Sequence, residues 1–184
     1  SSALNAYINQ LRAEALASAG NIDGAIMAYQ AAIDTTITGD TSYLKLEIGK
    51  LVALKGDNES AITIFMGEYE ATSNEYLKST ANLLAGRSYL NLGMPEQAYA
   101  RFQDSVKNFP AAYDSYSALV ALVNDNQPVS ELDRGIIDYN VGQYGLAIDA
   151  LNRYIINTPE HNGTAHYYKG LSAQAIGDYQ TAIE

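Results

Sequence analysis

The sequence predicts an all-α chain, a solenoid of antiparallel helix hairpins stacked one on the next, and three observations predict it. A phrase of glycine, alanine five residues later and a large apolar residue four beyond that returns five times: GNIDGAIMAYQAAI from Gly20, GDNESAITIFMGEY from Gly56, GMPEQAYARFQDSV from Gly93, GQYGLAIDALNRYI from Gly142 and GDYQTAIE from Gly177, the last stopping before its apolar residue. A tiny residue stands seven places before each glycine, as Ala13, Gly49, Gly86, Gly135 and Gly170. The glycines are 36, 37, 49 and 35 residues apart, and self-similarity at such a period marks a repeat array.

Each member of the phrase has a physical role. The phrase-initial glycine closes the first helix of a pair in a left-handed cap. The upstream small residue lets that helix lie close to the second, and Ala25, Ala61, Ala98, Ala147 and Ala182 mark the crossing. Tyr29, Phe65, Phe102 and Leu151, one turn on and on the same face, fill the groove between successive hairpins. Hairpins are expected at 6–38, 42–72, 79–110, 129–160 and, incomplete, at 163–184. The 49-residue spacing exceeds its neighbours by about 13 residues. The excess falls between Pro110 and Ser130, where Tyr113, Tyr116, Leu119 and Leu122 recur at helical spacing, so an extra, unpaired helix is expected over 111–125. About four and a half repeats then form one solenoid over 1–184, with a continuous core instead of separate domains.

Composition narrows the partners. Eleven basic against 21 acidic residues give a net charge of −10, and no basic stripe or basic amphipathic helix exists to neutralise phosphates, which excludes nucleic acid and anionic membrane. Cysteine is absent, so no disulfide or thiolate site forms. The longest apolar run, Ala118 to Val123, is too short to span a bilayer, and no membrane insertion is expected. Scarce lysine, abundant Asn and Tyr, and two N-glycosylation sequons at Asn58 and Asn162 point to an extracytoplasmic setting. The Ser-Ser start suits either a processed secretory terminus or a trimmed one.

Small residue, glycine turn, alanine, aromatic and closing proline form the pattern of the tetratricopeptide repeat, which the chain resembles from about Ala6 to its end. The proline appears as Pro110 and Pro159, seventeen residues after its turn glycine; Ile37 and Ser73 hold that place in the first two repeats, and Glu68 and Tyr154 stand where the family prefers alanine. The resemblance implies a right-handed superhelix whose first helices line a concave surface, and a role in binding proteins or peptides. It brings Tyr7, Tyr43, Tyr139 and Tyr167 to that surface. Chaperone-binding members clamp a carboxylate with basic residues there, but the matching places carry Gln10 and Glu14, Leu46 and Lys50, Leu83 and Arg87; Lys50 and Arg87 alone make no clamp. The candidate groove residues are therefore Tyr7, Gln10, Glu14, Tyr43, Lys50, Arg87, Tyr139 and Tyr167. Fifteen tyrosines against three phenylalanines and no tryptophan suit either helix packing or a groove of rigid contacts that also stacks on sugar rings.

From Phe109 to Gly170 the resemblance narrows. A repeat ending in FP, the SYSALVALV helix, QPVSELDRGIIDYNVGQYGLAIDAL and YIINTPEHNGTAHYYKG are similar to the helical-superhelix region of bacterial soluble lytic murein transglycosylases. In that family the region precedes a lysozyme-like catalytic domain and shapes a glycan-binding ring. No counterpart of that domain is present, so no activity is carried over.

Chemistry within the chain is sparse. There is no phosphate-binding glycine loop, HExxH, nucleophilic cysteine or GxSxG elbow. His161 and His166 are five apart, where zinc ligands on one helix would be four apart with a carboxylate partner, and Asp57, Glu59 and Glu96 sit at helix starts, where they cap backbone donors. No enzyme activity, cofactor or metal is expected. The expected function is a non-catalytic scaffold for a protein, a peptide or cell-wall glycan, within a larger bacterial extracytoplasmic protein. One alternative is a head-to-tail fibre, in which the half-repeat from Gly163, with Tyr168, Leu171, Ala175, Tyr179 and Ile183, is covered by the Ala6 to Ala19 helix of another copy. The other is an accessory region of a lytic transglycosylase whose chemistry lies downstream of Glu184.

Overall fold

The computed structural model describes residues 2–36 and 39–183. Among them are eleven helices and no strand: α1 Ser2–Ser18, α2 Ile22–Thr35, α3 Ser42–Leu54, α4 Asn58–Ala71, α5 Glu75–Asn91, α6 Pro95–Asn108, α7 Tyr113–Asn124, α8 Glu131–Asn140, α9 Tyr144–Asn157, α10 Thr164–Ala175 and α11 Tyr179–Ala182. They form two compact units, Ser1–Ala98 and Tyr99–Glu184, divided within α6.

The hairpins are made by one turn used five times. At Gly56 the backbone is left-handed (φ +91°), a conformation costing an L-residue roughly 1–2 kcal/mol. It lets Gly56 N–H donate to Ala53 O (2.9 Å) and Asp57 N–H to Val52 O (3.3 Å), which ties off two orphan carbonyls at the end of α3. Gly20, Gly93, Gly142 and Gly177 repeat the pair of bonds at φ between +71° and +80°. The next residue starts the following helix: Asn21, Asp57 and Asp178 accept from the N–H of Gly24 (3.0 Å), Ser60 (3.1 Å) and Thr181 (3.1 Å). A single glycine thus separates the residue that caps the end of one helix from the residue that caps the start of the next, as between Lys55 and Asp57, and folds each pair back on itself.

In the first unit α1 pairs with α2 and α3 with α4, while α2 packs on α3, α4 on α5 and α3 on α5. Tyr29 lies with Ala13 and Ala25 of its own hairpin and Leu44 and Leu51 of the next. Phe65 lies with Leu46 and Ala61, and with Ala81 and Ala85 of α5. The phrase's apolar residue therefore bridges successive hairpins, as expected. The small residue has a sharper role than general closeness: a Cβ at Gly49 would overlap the Phe65 ring. In the second unit α8 pairs with α9, α9 and α8 pack on α10, and α10 on α11. Leu151 repeats the arrangement, since a Cβ at Gly135 would stand 2.5 Å from its Cγ, and Leu151 reaches Ala165 of α10.

The two hairpins without a closing proline end by hydrogen bonding. Thr35 and Thr36 hydroxyls turn back onto Ala31 and Ala32 carbonyls at the end of α2; Ile37 lies outside the described residues. After α4, extended Thr72 donates through its hydroxyl to Asp40 Oδ2 (3.3 Å) and accepts from Asn74 N–H (3.1 Å). The third hairpin begins at Glu75 instead of 79, because Asn74 Oδ1 caps the N–H groups of Tyr76 and Leu77.

The extra helix is α7, and its buried face is Ser115, Ala118, Leu119 and Leu122. Of the residues whose spacing announced the helix, Leu119 and Leu122 are on this face, while Tyr113 is 72% exposed. The Ser115 hydroxyl fixes the rotation by donating to Phe109 O (2.7 Å) and Ser105 O (3.1 Å) at the end of α6. At its far end α7 closes like the paired first helices, with Asn126 at φ +53° in glycine's place, Asn126 N–H on Val123 O and Gln127 N–H on Leu122 O. Pro128 follows, and Ser130 caps α8 by accepting from Asp133 N–H (3.3 Å). α7 is a first helix with no second.

Candidate functional site

Helical spacing sets out the site in the first unit. On α1, Tyr7, Gln10 and Glu14 fall at i, i+3 and i+7; on α3, Tyr43, Glu47 and Lys50 fall at i, i+4 and i+7, so each trio shares one helix face. Gln10 Nε2 donates to Glu14 Oε1 (3.0 Å), the Tyr43 phenol bonds the Glu47 carboxylate, and Lys50 Nζ pairs with Glu47 (2.7 Å). Burial pushes the Tyr43 hydroxyl's pKa up, and the charges of Glu47 and Glu14 push it further. The same influences raise Tyr29 to about 12: burial first, then Glu47, Glu14 and Tyr43. Glu14 of α1 and Glu47 of α3 thus both act on the same two phenols, and the exposed faces of these helices carry acidic and tyrosine side chains. Tyr7 (58% exposed) and Tyr43 (47%) stand on these faces.

Of the candidate residues, Gln10 and Glu14 are joined on α1, and Tyr43 and Lys50 are joined through Glu47 on α3. Tyr7 shares the α1 face, and Arg87 is exposed on α5. Sequence reasoning missed two contributors, Glu47 and Tyr29. Glu47 was legible as the i+4 partner of Tyr43 and i−3 partner of Lys50. Tyr29 has its ring in the core, and only the structure shows the groove's carboxylates acting on its hydroxyl.

The remaining candidates lie in the second unit and do different work. Tyr139 is half-buried between Tyr144 (ring centroids 5.9 Å apart) and Tyr168 (5.3 Å), so it serves helix packing. Tyr167 is exposed and edge-on to Tyr168 at 5.4 Å. The His161 ring lies 5.1 Å from His166 and 5.9 Å from Tyr154, and no group of three metal-ligating side chains occurs among the described residues. Of the sequon asparagines, Asn162 is exposed. Asn58 is buried, its carboxamide donating to Gly56 O (3.3 Å) and accepting from Asn91 (3.2 Å); this side chain ties two turns together, and the folded chain does not offer it for glycosylation.

One buried acid breaks the repeat pattern. Asp138, 2% exposed, stands three residues after Gly135, where the other copies carry Leu16, Val52, Tyr89 and Ala173. Burial raises its pKa, which Arg134, 3.7 Å away, only partly offsets. Among the described residues no helix is long and apolar enough to cross a membrane.

Residues 80–112 and 132–184 match family models described as tetratricopeptide repeat. These two stretches are similar to tetratricopeptide repeats. They run from within α5 through α6 and from α8 through α11, and α7 falls in the gap between them. A protein of Methanocaldococcus jannaschii described as "TPR repeat-containing protein MJ1428" is 24% identical over 151 residues, which is 76% of this chain and 26% of the relative. The chain thus spans about a quarter of that curated relative's length. Tetratricopeptide repeats point to a protein–protein interaction scaffold.

Proposed function

We propose that this chain is a non-catalytic scaffold that binds an extended peptide or protein segment along the groove between α1 and α3. The observation that carries this reading is the pair of exposed tyrosines, Tyr7 and Tyr43, each sharing a helix face with an ordered polar pair, Gln10–Glu14 on α1 and Glu47–Lys50 on α3. Tyrosines give large, rigid contacts at low entropy cost. Gln10, Glu14 and Glu47 supply directional acceptors, and Lys50 offsets one charge so that the groove is not uniformly repulsive to a peptide backbone. The same phenols would stack on sugar rings, so cell-wall glycan is the competing ligand. The resemblance of Phe109 to Gly170 to transglycosylase superhelices, together with the exposed sequon at Asn162, supports a place in a larger extracytoplasmic assembly.

Phage-displayed peptides selected on the chain, beside sedimentation with purified peptidoglycan, test it. We expect enriched peptides whose affinity falls at least tenfold in Tyr43→Ala and Glu47→Gln and is unchanged in Met27→Ala, an exposed substitution on α2. Enriched peptides indifferent to both groove variants, or binding to peptidoglycan alone, would refute it.

A further inference from the structure

We propose that a second site, the cleft between α2, α3 and α4, receives a lysine or arginine side chain of a partner peptide on Glu68. The cleft holds about 340 Å3 and is lined by Gln30, Lys45, Ile48, Thr63, Ile64, Gly67 and Glu68. Lys45 and Ile48 project from α3 on the side away from Tyr43, being two and five positions along at 100° per residue, so this surface is distinct from the tyrosine groove.

Three independent features need explaining here, and one occupant explains them together. Glu68 is 7% exposed at a place where the other repeats carry Ala32, Ser105 and Tyr154. Its Oε1 pairs with Lys45 Nζ at 3.0 Å, while its buried Oε2 has no hydrogen-bond donor. A buried acceptor left unfilled is costly, and the soft χ3 torsion of a glutamate can turn it into the cleft. Gly67, in the middle of α4, has open space within 4 Å of where a Cβ would stand, and its φ is not left-handed. Neither close packing nor backbone geometry calls for glycine; its effect is to leave the cleft wall low. Thr63 spends its one donor on Glu59 O (3.1 Å) and Gln30 directs one N–H to Asp34 Oδ1 (2.8 Å), which leaves the Thr63 hydroxyl oxygen and the Gln30 carbonyl oxygen as acceptors beside the cleft.

An acceptor-rich cleft ending in a carboxylate, floored by Ile48 and Ile64, suits a cationic nitrogen on an aliphatic stem. The nitrogen gains a charge-assisted hydrogen bond and the methylenes cover apolar surface. Lys45 does not close the site, because a carboxylate accepts from two cations and Lys45 also acts on Asp40. The chain's charge of −10 favours approach of a basic segment.

The test is titration of isotope-labelled chain with Ac-Ala-Ala-Lys-Ala-Ala-NH2 and with the same peptide carrying norleucine for lysine, followed by amide chemical shifts. We expect saturable shifts at Lys45, Ile48 and Ile64 to Glu68, with at least tenfold weaker binding of the norleucine peptide. Glu68→Gln should erase that preference. Gly67→Leu, an exposed change that raises helix propensity, should abolish binding while leaving the spectrum folded. Equal binding of the two peptides, lysine binding that survives Gly67→Leu, or shifts confined to Glu14, Tyr43 and Glu47 would each overturn the proposal. The last of these outcomes would leave the groove reading standing.

Discussion

Replacing Gly49 by alanine sets two known effects against each other at one atom. Alanine in mid-helix is better than glycine by about 0.5–1 kcal/mol, because glycine loses more backbone entropy on folding. Against this, the new Cβ would overlap Phe65 Cε1 and stand 2.9 Å from Cδ1 and 3.1 Å from Cζ. Phe65 cannot retreat: it is a rigid ring, 1% exposed, held by Leu46, Ala61, Ala81 and Ala85. Overpacking of this kind costs roughly 1–3 kcal/mol, so the steric effect wins and Gly49→Ala should destabilise by about 1–2 kcal/mol. The matched control is Gly67→Ala on the neighbouring helix, where a Cβ meets nothing within 4 Å and a gain of about 0.5–1 kcal/mol is expected. Urea denaturation followed by circular dichroism at 25 °C reads both. A Gly49→Ala chain as stable as the parent, or a Gly67→Ala chain destabilised by the same amount, would refute the socket assignment and leave glycine there without a steric reason.

Other outcomes follow from the same geometry. Ala61→Leu and Ala98→Leu, at fully buried positions, should each lose roughly 1–3 kcal/mol, checked by the same melts. Asn126→Ala should lose about 1 kcal/mol, because alanine pays the left-handed cost that asparagine tolerates, while Asn126→Gly should be at least as stable as the parent. Tyr29 binds its proton more tightly folded than unfolded, at about 12 against 10.0. Its contribution is therefore complete below pH 10 and is lost as pH climbs from 10 through 12. Tyr29→Phe should remove about 1–2 kcal/mol of the stability lost over that range, read from melts at pH 9 and 11.5. Purified peptidoglycan should show no turnover by the chain, and release of muropeptides that disappears in Glu14→Gln, Glu47→Gln or Glu131→Gln would contradict a non-catalytic scaffold.

The architecture was legible because its determinants are local. A left-handed glycine, the small residue seven places back and the apolar residue nine places on all lie within one hairpin of sequence, and the structure places Gly49 against Phe65 and Gly135 against Leu151. What escaped reading depended on neighbours distant in sequence or on a substitute residue. Asn126 does glycine's work at the end of α7, so a search keyed to glycine passed over the closing turn. The helical spacing of Tyr113, Tyr116, Leu119 and Leu122 reveals the helix but not its buried face, which is set by the Ser115 hydroxyl reaching back to Phe109 O at the end of α6. The groove was half legible: Tyr43 and Glu14 follow from helix position. The part played by Tyr29 depends on the phenol of a core residue lying within reach of two carboxylates on other helices, and no periodicity reports that.

The unpaired helix α7 bears on how such chains change length. An array that grows only by whole hairpins must gain or lose some thirty-five residues at a step. Here α7 is finished at both ends without a partner, tied to α6 by Ser115 and sealed by Asn126, and α8 starts afresh from its own Ser130 cap. One helix with its own two ends thus stands between two hairpins, so the smallest closed unit in this chain is a single helix, half of what its period suggests.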